Sequence, residues 1–104
     1  MRRGELLEQV KCVIRKIEPN AEVILYGSRS RGDAGTEADW DFLILVDGPV
    51  TEERKDIIRY QLYEIEWDSG EVISAIVWCR EEWHSPRCRA LPFYQNIERE
   101  GQVL

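Results

Sequence analysis

Apolar residues recur at three- and four-residue steps near the start of the chain: Leu6, Val10, Val13, Ile14 and Ile17. That spacing predicts an amphipathic helix from Gly4 to Ile17, ended by Pro19 and Asn20. A short continuous apolar run, Val23-Ile24-Leu25-Tyr26, stops at Gly27 and predicts a buried strand. Ser28 to Ala38 is polar and glycine-rich, so it predicts a loop, with room for one helical turn. Trp40 to Val46 is a second apolar run, bounded by Asp47-Gly48-Pro49, and predicts another strand.

Thr51 is placed to cap a helix whose first turn carries Glu52 and Glu53, acids that suit the positive end of the helix dipole. Ile57, Ile58, Leu62 and Ile65 form its expected apolar face, and Gly70 its stop. Val72 to Trp78, rich in β-branched and aromatic residues, predicts a third strand. After Glu81-Glu82-Trp83 comes an irregular stretch with Pro86 and Pro92, then a short helix from about Phe93 to Glu100. The order α-β-loop-β-α-β-α predicts an α/β (α+β) fold, a small mixed sheet flanked by helices.

Composition narrows the function classes. A length of 104 residues is expected to form a single domain, 1–104, with one modest core. Acidic residues outnumber basic ones 20 to 14, and the net charge of −6 argues against general nucleic-acid binding, which needs a basic field. No apolar run approaches the roughly 20 residues of a membrane span, and no signal-peptide core opens the chain. Cys12, Cys79 and Cys88 match no zinc or redox spacing, so they are expected as reduced thiols in a cytoplasmic protein. His84 is expected at the surface.

The chemistry concentrates in "LYGSRSRGDAGTEADWDFLILV". Side chains two apart on a strand share a face, so Asp39 and Asp41 are expected to point one way and Trp40 the other. Two like charges held close repel, and a divalent cation relieves the repulsion. Mg²⁺ commonly binds through one or two carboxylates plus substrate phosphates. Gly27 and Ser28 can bring backbone N–H groups against a phosphate, because glycine adds no bulk. An Asp-x-Asp strand start is often a solvated edge, and a glycine-rich loop is often only a turn. Here the two occur together at fixed spacing.

That conjunction resembles the nucleotidyltransferase superfamily of DNA polymerase β type. Within it, the chain is similar to the minimal single-domain branch with a kanamycin-nucleotidyltransferase-like core. The shared pattern is an apolar strand, Gly-Ser, about ten residues, then Asp-hydrophobic-Asp, and "RSRG" after the serine fits the same branch. The resemblance implies a nucleotidyltransferase fold, Mg²⁺ (or Mn²⁺) on Asp39 and Asp41, and an NTP whose phosphates lie on Gly27 and Ser28. Arg29 and Arg31 are then expected to neutralise phosphate charge. The implied reaction moves a nucleotide, AMP from ATP, to a hydroxyl of a protein or small molecule. Minimal members pair with a helical protein of the HEPN type as the antitoxin half of a toxin–antitoxin pair.

One position departs from the pattern. Members of this superfamily carry a third carboxylate on a neighbouring strand, and Ser74 stands at the corresponding place. A serine hydroxyl supplies no negative charge and is a poor base. Glu71 is a weak substitute, three residues away on what would be the other face, and Glu66 and Asp68 are weaker still. The competing reading is therefore a degenerate module that binds nucleotide or a partner without turnover. Trp83, Phe93 and Tyr94 are expected to pack in the core, although the same aromatics would suit a partner surface or a homodimer.

Overall fold

The computed structural model describes residues 2–31 and 39–104. The predicted loop through Ala38 therefore lies largely outside the described residues. Helix α1 (Arg3–Ile17) leads into strand β1 (Glu22–Tyr26), and a single turn of helix, α2 (Ser28–Arg31), follows Gly27. Strand β2 (Trp40–Val46), helix α3 (Glu52–Ser69) and strand β3 (Ile73–Cys79) form a β-α-β unit. Three short helices follow, α4 (Arg80–Trp83), α5 (Pro86–Arg89) and α6 (Pro92–Glu100), before a two-residue strand, β4 (Gln102–Val103).

The sheet order is β3-β2-β1-β4. β2 and β3 run parallel, while β1 pairs antiparallel with both β2 and β4. The mixed α/β architecture agrees with the predicted fold. The strand predicted from Val72 to Trp78 lies one residue later. The irregular stretch contains α5, and α4 ends at Trp83 just before it; both are single turns too short to produce a period. β4 was not predicted, since two residues carry no pattern and form a strand only by pairing with Ile24 and Leu25.

Strand alternation divides the core. On one face Trp40, Phe42, Ile44 and Val46 pack with Val23 and Leu25 under Leu6, Val10 and Ile14 of α1 and Ile58, Leu62 and Ile65 of α3. On the other face Ile24, Leu43 and Leu45 meet Trp83 and Ile97. Trp83 is fully buried, edge-on to Trp78 and Phe93 with Tyr94 alongside, so these aromatics are core as expected. The expected face of α3 needs one correction: Ile57 is 49% exposed, because the stripe through Ile58 leaves its neighbour about 100° around the helix.

Local signals act where expected. The Thr51 hydroxyl accepts the Arg54 N–H at 3.1 Å, and Gly70 ends α3 at φ 73°, the left-handed conformation glycine adopts without strain. Arg54 joins three segments: its Nε and Nη2 donate to the two oxygens of Glu18 at 2.6 Å each, and Nη1 donates to the Asp47 and Pro49 carbonyls. This fork clamps the end of α1 to the start of α3. Arg80 pairs with Asp47 and also donates to the Asn20 carbonyl. Among the described residues no helix is long and apolar enough to cross a membrane.

Candidate functional site

Three strands bring one residue each into a row. Asp41 on β2 is the register partner of Tyr26 on β1 and of Ser74 on β3. Residues in register share a face, so these side chains stand roughly one strand spacing, about 4.8 Å, apart. Asp39 precedes the strand and is exposed. Trp40 turns to the opposite face and is 3% exposed in the core beneath α1 and α3.

Gly27 closes against the row. Its φ is +75°, and a Cβ built there would lie 2.7 Å from Asp41 Oδ2. The backbone thus approaches the carboxylate more closely than any side-chain-bearing residue would allow. Ser28 begins α2 immediately afterwards, and the Ser30 N–H donates to the Gly27 carbonyl at 3.1 Å. Ser30 Oγ donates to the Glu100 carbonyl, tying the turn to the end of α6.

The electrostatics of this corner are unbalanced. Burial pushes the Asp41 carboxyl above its ordinary value, and the charge of Asp39 adds to the rise. Burial, and then Asp41, raise the Tyr26 phenol. Asp39 and Asp41 make no hydrogen bond or ion pair among the described residues. Two carboxylates close together, one partly desolvated, make a donor set suited to a divalent cation that takes its other ligands from phosphates and water. No group of three or more His, Cys, Asp or Glu suited to a metal occurs among the described residues, and Ser74 stands at the third strand position of the row.

The remaining predicted site residues lie elsewhere. The Arg29 guanidinium sits over the Trp40 ring, 4.3 Å from its centroid, and Nη2 lies 3.5 Å from Glu71 Oε2. Glu71 also accepts the Trp40 indole N–H at 3.1 Å, which holds its carboxylate on the Trp40 side of β2 rather than beside Asp41. Arg31 ends α2, and its side chain lies outside the described residues. Glu66 accepts the Ile73 N–H at 3.0 Å, so it caps the start of β3. His84 is exposed, with Nδ1 3.4 Å from the Tyr94 hydroxyl. Sequence reasoning did not single out Tyr26; its position directly before the Gly-Ser pair was the available signal.

A cavity of about 190 Å³ opens beside Gly27, lined by Tyr26, Gly27, Phe93, Asn96, Ile97 and Glu100. It places α6 next to the phosphate-loop candidate.

A family profile described as Nucleotidyltransferase domain matches residues 7–103. The chain belongs to this family. No curated protein matches it in sequence. Two solved structures are similar to this nucleotidyltransferase domain. One is a spectinomycin adenyltransferase from Enterococcus faecialis with ATP and spectinomycin: TM-score 0.66, 23% identity, covering 80% of this chain and 36% of that one. The other is a toxin–antitoxin with AMP-PNP: TM-score 0.63, 12% identity, covering 98% of this chain and 72% of that one. At these identities the likeness carries the fold. The domain spans about a third of the adenyltransferase.

Proposed function

We propose that this nucleotidyltransferase domain binds ATP with Mg²⁺ (or Mn²⁺) and transfers AMP to a hydroxyl of a protein or small-molecule acceptor. The carrying observation is Gly27 pressed on Asp41 with Asp39 beside it: a close backbone approach next to an uncompensated pair of carboxylates. Asp39 and Asp41 would hold the cation, which when bound supplies charge neutralisation at the phosphates. Gly27 and Ser28 orient phosphate oxygens through backbone N–H groups, with Arg29 and Arg31 as further cations of the loop. The acceptor oxygen bonds to the α-phosphorus as the bond to the pyrophosphate oxygen breaks. Ser74 does not take the hydroxyl proton at neutral pH, so it passes to water or to a base of the acceptor.

The acceptor fits a protein partner, a helical one of the HEPN type, with this domain as the antitoxin half. The likeness to a toxin–antitoxin with AMP-PNP supports that reading. The second reading, a binding module without turnover, is favoured by the Asp41–Ser74 register pair. Incubation with labelled ATP and the candidate partner separates them. Label on the partner, increased by Ser74→Asp, is the result expected of a transferase. Tight Mg–ATP binding with no transfer in either form would leave the binding module, and no binding at all would refute both.

A further inference from the structure

We infer that the outer face of α3 docks a partner helix whose apolar stripe is flanked by lysine or arginine. Ile58, Leu62 and Ile65 carry the core side of α3. At about 100° per residue, Trp67 lies on the opposite side from Ile58, with Tyr60 and Tyr63 within about 40° of it. Trp67, Tyr60 and Tyr63 are 79%, 61% and 57% exposed. With Glu64 and Asp68 they line a shallow groove of about 470 Å³. A helix that has already buried one stripe in the core normally turns polar residues to water. Tyrosine and tryptophan are instead the residues that anchor protein interfaces.

The charge around these rings has one sign. Glu52, Glu53, Asp56 and Glu64 all lie within about 60° of Trp67 around the helix axis, and no base of α3 does. Lys55 and Arg59 stand further round, on the side of β3, and Lys55 is paired with Glu52. Glu53, Asp56, Glu64 and Asp68 have no ion pair or side-chain hydrogen bond among the described residues.

That charge selects the occupant. Nucleic acid and an anionic membrane bring phosphates against the acids and are repelled. A second copy would set the same acids against its own. A peptide adding as a strand gains no hydrogen bonds, because the backbone groups of a helix interior are already paired. A helix with Lys or Arg beside an apolar stripe meets both features. Its apolar side chains cover the rings, while its cations pair with the acids and lie on aromatic faces. Tyr60 to Trp67 spans about two turns, roughly 10 Å, a length that one packed helix covers. The rings point away from the sheet, and Asp41 stands on the face of the sheet opposite to α3, so docking here leaves the nucleotide-site candidate open. The inference therefore does not rest on nucleotide transfer.

Trp67 reports on this surface, because it is the one exposed tryptophan of the four. The probe is a synthetic amphipathic helix with a leucine stripe flanked by lysines, and the control peptide replaces those lysines with glutamates. The full chain is expected to bind the lysine peptide with blue-shifted Trp67 emission, reduced acrylamide quenching and an affinity that falls as salt rises. The glutamate peptide should bind more weakly by about tenfold or more. In calorimetric titrations Trp67→Ala and Tyr60→Ala should each weaken the lysine peptide by about tenfold or more. Asp56→Lys/Glu64→Lys should reverse the preference between the peptides. All these variants should keep the wild-type circular dichroism, since the side chains they change are exposed. Equal affinity for both peptides, affinity for neither, or lysine-peptide binding untouched by both aromatic variants overturns the proposal. So does a dimer of the chain, or binding to phosphatidylserine vesicles, that Trp67→Ala abolishes.

Discussion

The two ends of β2 treat their charges in opposite ways. At the far end, Glu18 is met by a two-pronged Arg54 and Asp47 by Arg80, so acids and bases of three segments neutralise one another. At the near end, Asp39 and Asp41 stand together with no ion pair among the described residues, and the Asp41 carboxyl is raised by burial and by its neighbour. The Arg54 guanidinium is instead held more firmly charged, chiefly by its hydrogen bond to Glu18. One end uses charge to secure the fold. The other keeps charge that folding alone would not favour, and a bound cation can turn that cost into affinity.

Removing the near-end charge should have the largest effect. Asp39→Asn with Asp41→Asn is expected to weaken Mg–ATP binding by more than the roughly 10–100-fold that outer-sphere partners cost at metal sites. Calorimetric titration measures it, and unchanged affinity would remove the near end from the site. Next is Arg54→Ala, which leaves Glu18 partly buried without its partner. About 2 kcal/mol of stability should be lost, lowering the thermal midpoint by about 8–16 °C with nucleotide affinity unaltered. If the midpoint holds, the far end is not a clamp.

Gly27→Ala joins the two properties, since the new methyl would meet Asp41 Oδ2 and the backbone would keep a positive φ. A stability loss of about 1–2 kcal/mol is expected, together with weaker nucleotide binding. An alanine variant that binds normally would show that the close approach is not used.

The smallest effect is pH-dependent. Asp41 has a higher proton affinity folded than unfolded, so the folded state loses relative stability as pH rises through the raised value. The midpoint difference, Asp41→Asn minus wild type, should therefore grow from acidic to neutral pH, and Mg²⁺ should shrink it. A difference that is flat with pH would mean that Asp41 is not destabilised by its surroundings.

Much of this was legible in the chain. The helix stripe from Leu6 to Ile14, the strand runs, the Thr51 cap and the Gly70 stop are local signals, set by periodicities of 3.6 and 2 and by backbone freedom. The Gly-Ser and Asp-x-Asp spacing pointed to the site because its parts lie within 15 residues of one another. Glu71 was less legible. Its odd spacing set it on the face away from Ser74, and only the fold shows Trp40 and Arg29 engaging it there. The outward aromatic stripe of α3 was hidden by Ile57, which reads as core beside Ile58.

The sequence by itself determined the elements, the turn glycines and the two carboxylates, because each depends on neighbours a few residues away. Only the tertiary structure decided which strand lies beside which. It set Ser74 next to Asp41 across a parallel ladder, placed Gly27 against Oδ2, closed the far end of β2 with Arg54, and left β3 as an open edge. Strand order and register come from long-range packing of two apolar faces, and no local pattern encodes that.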